Sequence, residues 1–278
     1  MNQQMLGLVG AGPLSRSFVT KLPALRSRLG PVLAPCQRLA SRLVNALRAG
    51  YAIQRYEELG AAETLLIAVP DAVVAEAVSA LAKADLELSG KIVLLCDSRL
   101  DSSALQPLAR RGAMTASLSS IPGLALRYVA EGERRAVREA RLLAEEQSAR
   151  IYELPPGGKA VFLAAMSFTG GLALAVVDAA ARCLRAAGLP SPACDAVCEQ
   201  LLLKTLRAYL HAGRKAWSGV LADGERGEVA RELAALEEAD ASLAAAYRVL
   251  ARLALERFER DTAWLDQAFR QERRQRRL

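Results

Sequence analysis

Short apolar runs alternate with amphipathic stretches through roughly the first half of the chain. Met5 to Val9 is apolar and ends in Gly10-Ala11-Gly12. The spacing of Leu14, Phe18, Leu22 and Leu25 then predicts a helix over 12–29, which Pro23 should kink or shorten. Pro31 to Ala34 reads as a short second strand, 39–47 as a helix and Tyr51 to Ile53 as a third strand. Glu63 to Val69 is a continuous β-rich apolar run, as a parallel strand covered on both faces requires. It ends in Pro70-Asp71, where a helix over 72–81 should begin with Asp71 as N-cap. Strands follow at 91–95, 113–117, 124–129 and 149–153, with helices at 102–111 and 133–147. Such alternation indicates a doubly wound, mostly parallel sheet, hence an α/β class.

The character changes at Leu154-Pro155-Pro156-Gly157-Gly158. No further strand pattern appears. Lys159 to Ala187 reads as one long helix closed by Gly188-Leu189-Pro190, and 193–212 as a second that Gly213 stops. A loop over 217–227 precedes one or two more helices, with Leu233, Leu236, Leu243, Tyr247, Leu250, Leu253 and Phe258 along an apolar face. Two domains follow: a dinucleotide-binding domain at 1–154 and an all-helical substrate and dimerisation domain at 155–278. Helical packing of this sort completes itself through a second chain, which predicts a homodimer.

Composition adds limits. Of 278 residues 52% are hydrophobic and only 5% aromatic, so the core must be built from Ala, Leu and Val. The first apolar segment is too short for a secretory signal and lacks a basic lead. The longest apolar stretch, 160–181, is broken by Ser167, Thr169 and Asp178 and reads as a buried helix, not a membrane span. Cys36, Cys96, Cys183, Cys194 and Cys198 fit reduced thiols in a cytoplasmic protein. Cys194 and Cys198 lie at i, i+4, but with His211 as the single histidine a metal site lacks partners; packing is the expected role. His211 itself sits near a helix end. The net charge is +7, and five arginines fall in the last nine residues, 270–278. They read as a solvated helix end suited to the C-terminal dipole, or else as a nucleic-acid tail. Only Phe269 interleaves them, so nucleic acid is not the expected partner.

Chemistry enters at the glycines. A strand ending in Gly-x-Gly before a helix can carry a dinucleotide: Gly10 can take the angles of a tight turn, and Gly12 leaves room for a pyrophosphate. Ser15 stands where the full pattern has its third small residue, and Pro13 is tolerated in a first helical turn. Gly10, Gly12, Pro13 and Leu14 are the candidate phosphate-turn contacts, with Val69 and Pro70 at the neighbouring strand end. NAD sites place an acid at the end of the second strand. Here the segment reads Ala34-Pro35-Cys36-Gln37-Arg38, with Arg42 beyond. Arg38 and Arg42 suit a 2′-phosphate, hence NADP(H); they equally suit an exposed helix face. No Gly-x-Ser-x-Gly elbow and no Walker-type Gly-Lys-Ser/Thr loop is present.

Gly10-Ala-Gly12, Ala68-Val-Pro-Asp71, Gly90-Lys-Ile-Val93, Lys159 opening the long helix, and Ser218-Gly219 together resemble a known group. The chain is similar to bacterial Rossmann-like proteins with a C-terminal helical domain of unknown function, relatives of pyrroline-5-carboxylate reductase and the 6-phosphogluconate dehydrogenase superfamily. The resemblance implies a Rossmann-like sheet, an NADP-type cofactor and a small substrate in a cleft between the domains. It also exposes departures. The group's Ser-Leu-His-Pro is here Ser117-Leu118-Ser119-Ser120. Its Lys, His and Asn along the long helix are Lys159, Leu163 and Gly171, and its Ser-Gly after the fifth strand is Asp97-Ser98. Lys159 is thus the candidate catalytic residue, to polarise a carbonyl or donate a proton; the other reading is a solvent-facing lysine beside two glycines. Ser119, Ser120 and Ser167 are candidate substrate contacts, or else caps and core hydroxyls. Two functions stay open: an NADP(H)-dependent oxidoreductase of a small keto, imino or hydroxy acid, and a catalytically degenerate nucleotide-binding or assembly module.

Overall fold

The computed structural model describes residues 5–11, 18–21, 23–258 and 264–265. In chain order the elements are β1 (Leu6–Gly10), α1 (Phe18–Lys21), α2 (Pro23–Arg28), β2 (Leu29–Leu33), α3 (Gln37–Leu47), β3 (Tyr51–Ala52), β4 (Thr64–Ala68), α4 (Asp71–Lys83), β5 (Ile92–Leu95), α5 (Gln106–Ala109), β6 (Met114–Ser120), β7 (Arg127–Gly132), α6 (Arg134–Glu145), β8 (Arg150–Glu153) and then helices only: α7 (Gly158–Thr169), α8 (Gly171–Ala186), α9 (Ser191–Ala212), α10 (Arg226–Ala239) and α11 (Ala241–Phe258). The chain divides into two compact units, Met1–Phe168 and Thr169–Leu278.

The first unit is built on one eight-stranded sheet in the order β3-β2-β1-β4-β5-β6-β7-β8. Six strands give the doubly wound order in which the chain reverses between β1 and β4. All residues of β1, β2, β4 and β5 are buried, which explains their unbroken apolar runs. The two-residue period assigns them to opposite faces. Along β4, Leu66 and Ala68 join the core that holds Phe18, Leu94 and Tyr128, whereas Leu65 and Ile67 join the one that holds Val74, Val93 and Leu105.

One pair breaks the parallel pattern: β7 runs antiparallel to β6, with Ser120 opposite Tyr128. The six residues 121–126 joining them are too few for a parallel crossover. Gly123 (φ 78°) and Leu126 (φ 53°) turn the chain, so the strand begins at Arg127 and not at Leu124. Helix α6 then crosses over and returns β8 parallel to β7.

The sequence pattern misplaces one cap. Pro70, not Asp71, occupies the N-cap of α4. The Asp71 carboxylate turns instead to the loop after β5, where it accepts from Ser98 Oγ at 2.6 Å and from Arg99 N–H at 3.2 Å.

The helical run expected over 159–187 is two helices, interrupted at Gly170 (φ −111°, ψ −103°). Its burial differs from expectation as well. An 18-residue window within 158–186 has a mean hydropathy of 2.1 and no buried residue, so by length and composition alone it could cross a membrane. In the second unit, Gly213 at φ 56° ends α9, and Val229, Leu255, Trp264 and Leu265 pack together between α10, α11 and the described residues beyond. Cys194 and Cys198 are buried in α9, and no metal-binding group of His, Cys, Asp and Glu forms among the described residues.

Candidate functional site

Parallel strands leave their carboxyl ends open where the order reverses, and the first unit carries a cavity of about 560 Å³ there. Gly10 and Ala11 at the end of β1, Leu33 to Pro35 after β2, and Val69 and Pro70 after β4 line it. Gln54, Tyr56, Val73, Glu76, Ala77 and Ala80 complete the lining. The wall is mainly apolar, which suits a flat heterocycle, and Gln54, Tyr56 and Glu76 supply the longer polar side chains. Burial raises the Tyr56 hydroxyl's pKa, and the neighbouring Glu76 carboxylate adds to the effect.

Gly10, Val69 and Pro70 therefore sit where the sequence placed them. The reason for Gly10 differs: its φ is not left-handed, but a Cβ there would lie 2.9 Å from Leu43 Cδ1, forcing that side chain to turn aside. Gly12, Pro13 and Leu14 lie outside the described residues. Arg38 and Arg42 are exposed on α3 and do not line the cavity, although α3 starts two residues after Pro35, which does.

A second polar group lies deeper, between β6 and the start of α7. Lys159 is fully buried, which removes the reading of a solvent-facing lysine. Its ammonium donates to Leu100 O at 2.8 Å and to Ser117 Oγ at 2.5 Å, and Ser117 Oγ donates on to Leu100 O at 2.7 Å. Glu131, in β7 and 1% exposed, accepts from the backbone N–H and the hydroxyl of Ser102. Burial lowers the Lys159 pKa to about 8, opposed by the charges of Glu131, Asp71 and Asp101. The loop after β5 is thus stitched to its surroundings from several sides: Asp71 holds Ser98 and Arg99, Ser119 Oγ donates to Ser98 O at 2.5 Å, and Lys159 with Ser117 holds Leu100.

These contacts redistribute the expected roles. Ser119 is spent on the loop after β5. Ser120, next in β6, lies against the Asp97 carboxylate. Ser167 is exposed and donates to Leu163 O, one turn back in its own helix, at 3.3 Å. In the sequence Asp71 carries only a capping and motif role, and no site role falls to Ser98, Ser117 or Glu131. The available signal was polar residues inside buried strands: Ser117 and Glu131 interrupt runs that otherwise read as core.

Two family models match the chain, and the second begins within the first unit, at β7. Residues 33–120 match the Rossmann-like domain family, and residues 127–254 match the Domain of unknown function (DUF2520). No curated protein matches the chain in sequence. Among solved structures, protein TM1727 from Thermotoga maritima superposes with a TM-score of 0.64 at 18% identity, over 92% of this chain and 98% of that one. The imine reductase BcSIRED from Bacillus cereus BAG3X2 gives 0.63 at 19% identity, over 96% and 99%. The imine reductase from Myxococcus stipitatus, in complex with NADP+, gives 0.62 at 15% identity, over 95% and 99%. At these identities the likeness is one of fold.

Proposed function

We propose, for a chain that joins a Rossmann-like domain to a DUF2520 domain, an NADP(H)-dependent oxidoreductase acting on a small keto, imino or hydroxy acid. The observation that carries the reading is the cavity at the carboxyl ends of β1, β2 and β4, lined by Gly10, Val69 and Pro70. The absence of an acid between Ala34 and Arg38 supports the phosphorylated cofactor over NAD(H). Two fold relatives with imine reductase in their names, one of them in complex with NADP+, support the same class. The nicotinamide would supply the hydride; the protein's part is to hold and orient it. Leu33, Pro35, Val69 and Val73 would take the base by apolar contact, and Arg38 would meet the 2′-phosphate from the first turn of α3.

One observation favours a second reading, a nucleotide-binding module without turnover. Lys159, the one residue matching the group's catalytic position, is buried and donates its hydrogen bonds to the protein's own Leu100 and Ser117. A titration with NADPH and NADH, followed by cofactor fluorescence and thermal shift, separates the possibilities. Tighter binding of NADPH, with NADPH oxidation on one of a panel of keto and imino acids, supports the oxidoreductase. NADPH binding with no oxidation across the panel leaves the module, and binding of neither cofactor rejects both.

The second unit supports self-association. Leu174 on α8, Leu206 and Leu210 on α9 and Val249 on α11 are each more than half exposed, and Leu172, Leu201 and Leu253 add to them. Large apolar side chains exposed on several helices are what an interaction surface presents. A second copy of the helical unit would cover it, as a cytoplasmic homodimer.

A further inference from the structure

Two elements place polar side chains on the otherwise apolar wall of the cavity at the ends of β1, β2 and β4. The first is α4. It buries Val74, Val78 and Leu81 in the core beside the sheet. Val73, Glu76, Ala77 and Ala80, at i, i+3, i+4 and i+7, form its neighbouring face and line the cavity. Alanine at 77 and 80 leaves that face open, and Glu76 is the one charged side chain among the described lining residues. The second element is the segment after β3. Ile53 N–H donates to Val32 O at 3.0 Å and so continues the pairing of β3 with β2. Glu58 Oε1 then accepts from the N–H groups of Gln54 and Arg55 at 3.2 and 2.9 Å, which fixes the turn that carries Tyr56.

We propose that Glu76 and Tyr56 select the base of the dinucleotide: the Glu76 carboxylate accepts from the 6-amino group of adenine, and the Tyr56 hydroxyl donates to the adjacent ring nitrogen, N1. This rests on the dinucleotide reading above and adds to it the residues that choose the base. Neither the carboxylate nor the hydroxyl has a hydrogen-bond or ion-pair partner among the described residues, so both are available to a ligand. Burial, and then the Glu76 charge, raise the Tyr56 pKa above its ordinary value, so the phenol keeps its proton and can donate. A carboxylate only accepts. An unneutralised carboxylate also opposes a ligand that bears phosphates, unless the ligand brings it a donor. An acceptor beside a donor on an apolar wall fits a flat ring whose edge carries a donor beside an acceptor. Adenine has that edge. Hypoxanthine, with oxygen at C6 and hydrogen on N1, reverses both groups and would set an oxygen against the carboxylate.

The test compares NADPH with its hypoxanthine analogue, which keeps every phosphate and both riboses and differs only at the base edge. Affinities are measured by calorimetric titration of the full-length protein. The wild type should prefer NADPH by about tenfold or more, as a site built around a ligand's donor does. Glu76→Ala should weaken NADPH by about tenfold and cut the preference to about threefold or less. Glu76→Gln offers a donor as well as an acceptor, so it should bind the analogue more tightly than the wild type does. Tyr56→Phe should lose affinity for NADPH and keep part of the preference, because Glu76 remains. Equal wild-type affinity for the two cofactors overturns the proposal and leaves the dinucleotide reading standing. A Glu76→Ala variant with the wild-type preference overturns it too, even if both affinities fall together, since the carboxylate would then meet the ribose or only support the fold. A wild type that binds neither cofactor rejects the dinucleotide reading itself, and this inference with it.

Discussion

At the scale of single residues, burial decides more than residue type. Lys159 is the candidate catalytic residue in the sequence, and the structure buries it completely. Its lowered pKa, about 8 against an ordinary 10.5, means the folded state holds this proton less firmly than the unfolded chain. Below pH 8 both states are protonated and the full cost of the buried charge is present. That cost is relieved as pH rises from about 8 to 10.5, by roughly 3 kcal/mol at ~1.4 kcal/mol per pH unit. Lys159→Met removes the charge, while Ser117 Oγ still satisfies Leu100 O. Its unfolding midpoint in urea at pH 7 should equal or exceed that of the wild type, and the alkaline rise should disappear. A variant less stable by more than about 2 kcal/mol at pH 7 would show that the ammonium's hydrogen bonds outweigh its burial. Arg38 is the other residue-scale case. Arg38→Ala should cost about tenfold or more in NADPH affinity with little change for NADH; equal losses on the two cofactors would remove the 2′-phosphate contact.

Between elements, polar side chains fasten helix ends and loops that the apolar core leaves open. Arg111, just after α5, reaches the end of α4 and donates to Ala82 O and Ala84 O at 2.8 Å and to Leu86 O at 2.7 Å. Carbonyls at a helix carboxyl end have no partner within the helix, and a cation there also suits the dipole. The guanidinium fork serves three acceptors at once, which a lysine cannot reproduce. Arg111→Ala should lower the unfolding free energy by roughly 2–3 kcal/mol, with Arg111→Lys between it and wild type, measured by urea denaturation. Loss below about 0.5 kcal/mol would mean that water replaces the clamp. The loop after β5 belongs to the same scale: Ser98 and Leu100 were legible as letters, but their partners Asp71 in α4, Ser119 in β6 and Lys159 in α7 lie 27, 21 and 59 positions away.

For the whole molecule, the exposed apolar helices of the second unit set the strongest expectation. A homodimer should appear by light scattering at micromolar concentration. Leu206→Glu combined with Leu210→Glu, at positions 53% and 74% exposed, should yield a folded monomer. A wild-type monomer at those concentrations rejects self-association, and partition of the wild type onto lipid vesicles would assign the apolar helices to a membrane surface instead.

The sequence by itself determined the order and kind of nearly every element. The reason is local: a strand buried on both faces must be apolar throughout, a helix must repeat its apolar positions about every third or fourth residue, and glycine and proline mark the joins. The same locality placed Gly10, Val69 and Pro70 at strand ends, and strand ends are where a parallel sheet opens a cavity. Tertiary structure alone decided which polar groups meet. It put Lys159 inside the core against Leu100 and Ser117, gave Asp71 to Ser98 and not to its own helix, tied Asp97 to Phe18, and left α8 and α9 apolar and uncovered. A hydrogen bond between residues 42 or 79 positions apart leaves no periodic trace in the chain. A helix with apolar residues on every side reads the same whether its own domain or a second molecule covers it.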